Sequence, residues 1–91
     1  MDRKQLFVEA LTVTKEKYKS NPDYFILQAI ISQLEYLVNI INGSENDLSK
    51  LKSIIIGRMT AHDIDTWDPR LAEILYSVSE EVKKMNLEYG L

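Results

Sequence analysis

Residues 22–43, PDYFILQAIISQLEYLVNIING, decide the fold. Apolar side chains at Tyr24, Phe25, Leu27, Ile30, Ile31, Leu34, Leu37, Val38, Ile40 and Ile41 leave only Gln28, Ser32, Glu35 and Asn39 as a polar line. That line advances by four, three and four residues, which is the period of an α-helix and not the alternation of a strand. A helix with so narrow a polar stripe is expected to be the central one, packed against neighbours on several sides. Its ends are marked as well. Asn21 is placed to cap free N–H groups, and Pro22 sits where a missing donor costs nothing. Gly43 supplies the left-handed stop.

Working outward, a first helix is expected from about Asp2 to Lys19, with Leu6, Phe7, Ala10, Leu11, Thr14 and Tyr18 on one stripe. On the other side, Ser44-Glu45-Asn46-Asp47 reads as a turn followed by a helix start, capped by Ser44 or Asn46. The third helix would carry Leu48, Leu51, Ile54, Ile55 and Met59 inward. Ile54-Ile55-Ile56 has strand propensity, but the flanking spacing is helical and no partner strand is in sight. Gly57 lies inside this helix, where glycine costs about 1 kcal/mol relative to alanine, so it marks a close approach between helices. Asp68-Pro69 repeats the cap-plus-proline device and opens a fourth helix through Leu71, Ile74, Leu75, Val78, Val82 and Met85. The tail from Asn86 to Leu91 lacks a pattern and is expected to fray. Short connections imply antiparallel neighbours. The expectation is an all-α, single-domain, antiparallel up-down bundle of about four helices, spanning residues 1–91.

Composition narrows the function. Ninety-one residues support one small core. The absence of cysteine removes disulfides, thiolate metal sites and thiol nucleophiles together. Residues 1–20 carry five cations against three acids, and residues 21–91 carry six against eleven, so a net charge of −3 is unevenly spread. Nucleic acid would demand a basic face. The one basic cluster, Lys15-Glu16-Lys17-Tyr18-Lys19, is interrupted and reads as a solvated helix end. A positively charged protein surface is the better electrostatic match. No signal peptide is visible after Met1, and no apolar run is expected to reach the roughly 18–20 residues that span a bilayer. The default expectation is therefore a cytoplasmic chain that engages neither nucleic acid nor membrane.

The link Ala61-His62-Asp63-Ile64-Asp65-Thr66-Trp67-Asp68-Pro69-Arg70-Leu71 stands out, because it holds three aspartates and the only tryptophan. Connecting segments are mostly solvated, so a large apolar ring there needs a reason. Trp67 is either a staple folded over the bundle end or an anchor for a partner, since tryptophan is enriched at interface hot spots. Tyr36 is likewise a core edge or a contact residue. His62 with Asp63 and Asp65 makes at best a fragment of a metal site, with no second ligand cluster elsewhere. The aspartates also lack the glycine and terminal glutamate of a calcium loop. With glycines only at 43, 57 and 90, no phosphate-binding loop forms. No catalytic residue, cofactor or metal is expected. The candidate contact residues are Glu35, Tyr36, Asp63, Asp65 and Trp67.

Several pieces in one register carry a further reading: Ala10-Leu11, Pro22-x-Tyr24 with Leu27, Gln33-Leu34-x-Tyr36, Asp47-x-Ser49-x-Leu51, Gly57, and Asp65 followed by Asp68-Pro69-x-Leu71 and Leu75. Through them the chain resembles the small helical immunity proteins of bacterial type VI secretion that guard against an NAD(P)-hydrolysing effector. The similarity runs without gaps from about Ala10 to Leu75. It implies a non-enzymatic antitoxin that binds the C-terminal domain of its cognate toxin and plugs the active cleft. The chain departs from the family pattern at both ends, and His62 and Trp67 replace other residue types in the acidic link. Homologous scaffolds can serve different partners. Two alternatives therefore stand beside this reading: the same scaffold neutralising a ribonuclease of contact-dependent inhibition, and a helical adaptor with no toxin.

Overall fold

In the computed structural model, which describes residues 2–91, α1 (Arg3–Ser20) starts from a reciprocal cap. The Asp2 carboxylate accepts from the Gln5 N–H at 2.8 Å, and the Gln5 side chain accepts from the Asp2 N–H at 3.2 Å. Met1 lies outside the described residues. The helix buries Phe7, Ala10 and Thr14, and the Thr14 hydroxyl is satisfied by the Ala10 carbonyl at 2.7 Å.

Asn21 serves α1 and not the helix after it. Its side-chain amide donates to the Lys17 carbonyl at 2.9 Å, closing the end of α1 instead of opening the second helix. Residues 21–24 form a turn, with the Tyr24 N–H on the Asn21 carbonyl at 3.0 Å. The second helix, α2 (Ile26–Asn42), therefore begins four residues later than Pro22. It ends as expected at Gly43, whose φ of +79° is the left-handed stop.

The expectation that α2 is central is corrected. Only one stripe, Leu27, Ile30, Leu34 and Leu37, is fully buried, while Ile31, Val38, Ile40 and Ile41 are half-buried and Phe25 is 70% exposed. The helix packs on α1 and on α3 (Ile56–Met59), and the other side stays open. The same composition brings a second correction. The 18-residue window Phe25–Asn42 has a mean hydropathy of 1.3, long and apolar enough by length and composition to cross a bilayer. Here its buried stripe faces the bundle core.

The third helix is broken into three pieces: a 3₁₀ turn over Ser49–Ser53, the short α3, and a π-helical turn over Thr60–Ile64. Asp47, rather than Ser44 or Asn46, serves the first turn by accepting from the Ser49 N–H at 2.9 Å. Gln33 on α2 explains the break. Its side-chain oxygen accepts from the Ile55 N–H at 2.7 Å, taking the donor that an uninterrupted helix would use. The chain is turned there, so Ile56 is buried and Ile55 is 42% exposed. The wide turn closes when the Asp65 N–H reaches the Thr60 carbonyl at 2.8 Å, which sends Ile64 into the core.

The fourth helix, α4 (Pro69–Glu88), begins at the Asp68-Pro69 device as read. It continues past Met85, so the tail through Glu88 is helical and not frayed. The reason lies at the other terminus. The Arg3 guanidinium takes both oxygens of Glu88 at 2.9 and 3.0 Å and reaches Glu81 at 3.2 Å. These bonds outweigh the cost of burying part of the guanidinium and hold its pKa above the usual range, while Glu81, through Lys84 first and then Arg3, and Glu88, through Arg3, are held below theirs. The four helices close a ring, α1 on α2 and α4, α4 on α3, α3 on α2, around one cluster built from every element. Among the described residues there is no strand. The all-α bundle stands.

Gly57 marks a close approach, as its position implied. A Cβ there would overlap the Ser79 hydroxyl oxygen and lie 3.2 Å from the Ser79 Cβ. Gly57→Ala is therefore expected to lower the melting temperature despite alanine's better helix propensity, and Ser79→Ala in the same chain should restore most of the loss. Purely additive effects of the two changes, measured by thermal denaturation, would contradict this contact.

Candidate partner-binding surface

The geometry of the 61–71 segment is set by one carboxylate. Asp68 accepts from the Leu71 N–H at 3.1 Å and so caps α4, and it pairs with Lys17 Nζ at 2.7 Å across to α1. The Lys17 contact is the main reason the Asp68 pKa lies below the ordinary carboxylate value, with partial burial opposing it. The same ammonium stands 5.9 Å from the ring centre of Trp67. The ring of Tyr24 meets Trp67 at 4.7 Å between centroids with a tilt of 56°. The Tyr24 hydroxyl donates to the Asp63 carbonyl, and burial, then the Asp63 charge, pushes its pKa up. Three elements are thus tied at one end of the bundle.

Of the two roles expected of Trp67, the structure shows the packing one. Its ring packs on Tyr24 and lies near the Lys17 ammonium, and 40% of the residue remains open to solvent. Around it, Asp65 is exposed and accepts from the Tyr76 hydroxyl at 3.1 Å, while Asp63 is half-buried beside His62, whose Nδ1 lies 3.1 Å from its carboxylate. Asp63 is tied through its carbonyl to Tyr24, the neighbour of Trp67, whereas Asp65 is turned toward Tyr76 on α4. Glu35 and Tyr36 do not join them. Tyr36 is ten residues into α2, about 15 Å from that helix's start. Its hydroxyl donates to the Asp47 carbonyl at 2.6 Å, and burial raises its pKa. The Glu35 carboxylate meets Lys15 at 3.7 Å, so it is not an unpaired acid.

Sequence reasoning missed Lys17 and Tyr24 at this surface. Lys17 does occupy the last turn of α1, as a solvated end would, but its ammonium is spent on Asp68 and Trp67. Tyr24 counted only as part of an apolar stripe. The spacing of Asn21-Pro22 suggested a helix start, and only the turn that replaces it brings Tyr24 across to residue 67. Among the described residues, no group of three or more His, Cys, Asp or Glu side chains is placed to hold a metal ion. The one imidazole contacts a single carboxylate on its sequence neighbour. Such a surface can bind and exclude; it offers no nucleophile–base pair.

An all-helical bundle with an aromatic and acidic end defines a small binding protein. The chain belongs to the Tsi6 family, whose profile matches residues 2–84. This is the type VI secretion immunity family that the sequence resembled. Solved structures share the fold. A structure of Tsi6 from Pseudomonas aeruginosa superposes with a TM-score of 0.80 at 23% identity, over 86% of this chain and 81% of that one. A structure of Tse6 in complex with Tsi6 contains a chain that matches with a TM-score of 0.86 at 22% identity, over 100% of this chain and 95% of that one. No curated protein sequence matches the chain.

Asp68 gives a pH-dependent test. Its folded pKa is depressed, so its charge stabilises the fold above the unfolded carboxylate value, near pH 4, and that contribution disappears as pH falls through the folded pKa. Asp68→Asn keeps a capping oxygen and removes the charge. The stability gap between parent and variant should be present at pH 7 and should narrow below about pH 4. Asp68→Ala should cost at least about 1 kcal/mol at neutral pH. An unchanged gap across the acid limb in chemical denaturation would contradict the Lys17–Asp68 pairing.

Proposed function

We propose that the chain is an immunity protein that binds the toxin domain of a cognate interbacterial effector and occludes its active site. Membership in the Tsi6 family, with a relative solved as Tse6 in complex with Tsi6, is the observation that carries this reading. The effector is one that hydrolyses NAD(P)⁺, as the resemblance of the sequence implies. The chain acts as one helical domain in the cytoplasm, without catalysis of its own, and so spares the producing cell from loss of its dinucleotides.

The mechanism is electrostatic seating followed by exclusion. An enzyme that binds a dinucleotide keeps cations in its cleft to hold phosphates. Asp63 and Asp65 offer carboxylates on the link before α4, and the exposed part of Trp67 gives an apolar anchor beside the cap at Asp68. Glu35 and Tyr36 form a second, separate set on α2. Opposite charge speeds association and penalises the wrong partner, while the buried aromatic slows dissociation. Substrate is kept out because the protein occupies the space.

Capture of partners from the native strain, followed by an NAD⁺-consumption assay on the captured protein, tests this reading. A partner that consumes NAD⁺ when free and not when bound is the expected result; a partner with no toxin activity would contradict it. Trp67→Ala should weaken the complex by about 2 kcal/mol, some thirtyfold, and also lower the melting temperature through the lost Tyr24 contact. Reversing Asp63 and Asp65 to lysine should slow association at low salt, with the difference shrinking as salt rises. Parent-like association of that double variant at low salt would remove the carboxylates from the interface.

A further inference from the structure

A groove runs along the seam between α1 and α4 and leads away from the Trp67 end. Its first section has a volume of 480 Å³ and reaches the Lys17–Asp68 pair. A second recess of 670 Å³ shares Glu9, Arg70 and Ile74 with the first and carries the groove on toward Leu6. Val13 from α1 and Ile74 from α4 are half-buried and give the groove an apolar floor. On the α1 side, Glu9, Val13 and Glu16 recur at steps of four and three, so two carboxylates flank one apolar side chain along a single face. Their backbones stand about 10 Å apart, two helical turns at 1.5 Å per residue.

The charge of the lining is unbalanced. The two sections together present Glu9, Glu16, Asp68 and Glu73 against Lys17 and Arg70. Lys17 and Asp68 neutralise each other at 2.7 Å. Among the described residues Glu9, Glu16 and Glu73 are all exposed, and none has a cation within 4.0 Å. Three unpaired carboxylates thus face one guanidinium around an apolar floor. Anionic ligands are disfavoured there, and a neutral apolar segment would leave the acids unused.

We infer that this groove is a second docking surface for the toxin, and that its occupant is a cationic amphipathic segment. That segment carries two Lys or Arg side chains about two helical turns apart, with an apolar residue between them. The cations meet Glu9 and Glu16, and the apolar side chain enters between Val13 and Ile74. This rests on the immunity reading, and it extends the interface from the Trp67 end along the side of the bundle. It also predicts a division of labour. The groove fixes orientation and register through spaced charges, and the Trp67 end supplies the buried anchor.

The test uses the full chain and, as probe, the C-terminal domain of the secretion-associated toxin encoded beside it, disabled in its catalytic residues. Glu9→Lys with Glu16→Lys should weaken binding at least about tenfold at low salt, with the loss shrinking as salt rises. Ser53→Lys with Leu87→Lys adds positive charge at exposed positions outside both the groove and the Trp67 end and should shift binding less than about twofold. Because the chain has no cysteine, Ser77→Cys on the groove wall takes a single environment-sensitive fluorophore. Its emission should change when the toxin is added. Parent-like binding by the groove variant with unchanged fluorescence overturns the proposal and leaves the immunity reading standing. A fluorescence change that tracks the chain's own concentration without toxin assigns the groove to a second copy and also overturns it. A parent chain that does not bind the toxin overturns both.

Discussion

One carboxylate, that of Asp68, connects the sequence device that starts α4 to the aromatic end of the bundle. It caps the helix at the Leu71 N–H, draws Lys17 from α1, and leaves the Lys17 ammonium against the Trp67 ring. Trp67 in turn rests on Tyr24 from the turn before α2. A helix cap is ordinarily worth about 1 kcal/mol. Here it also fixes where the only tryptophan points, so a local stabilising device becomes a positioning one. At the opposite end, Arg3 with Glu81 and Glu88 ties the start of α1 to the close of α4. The two clasps hold α1 and α4 along their lengths and keep the seam between them in register.

Helix identity was legible because period and punctuation agreed at most points. The Asp68-Pro69 start and the Gly43 stop are as their spacing implied, and of the stripe expected in α4 Leu71, Leu75, Val78, Val82 and Met85 are buried while Ile74 is half-buried. The failures have tertiary causes. Asn21 has the right side chain to cap α2, yet its amide finds the Lys17 carbonyl first. Residues 48–59 have helical spacing, but Gln33 reaches from α2 to claim the Ile55 N–H, and local pattern cannot report a competitor 22 residues away. The tail looked unpatterned because the residue that orders it, Arg3, is 85 residues distant from Glu88.

The candidate site was half legible. Three aspartates and a tryptophan in one link drew attention to that end of the molecule, where Trp67 packs on Tyr24, Asp63 holds the Tyr24 hydroxyl and Asp65 meets Tyr76. Glu35 and Tyr36 were chosen for chemistry on α2 and sit elsewhere, each with its own partner in Lys15 and the Asp47 carbonyl. Of the two alternatives for Trp67, the contact with Tyr24 and Lys17 is the one the structure shows. Packing against Tyr24 and Lys17 restricts the ring, which lowers the entropy cost of any contact made by its exposed part. The central place given to α2 was an error of a different sort. A broad apolar circumference is satisfied here by partial burial of its flanks, because a small bundle has too few neighbours to cover them.

The central claim is that the chain works by occupying the toxin's active cleft. Titrating the purified chain into the active toxin domain while monitoring NAD⁺ hydrolysis addresses it directly. Occlusion predicts a linear fall in activity that reaches zero at one equivalent, unchanged when substrate is raised after the complex has formed. A stable complex that retains hydrolysis at saturation would contradict it, because binding would then leave the cleft open.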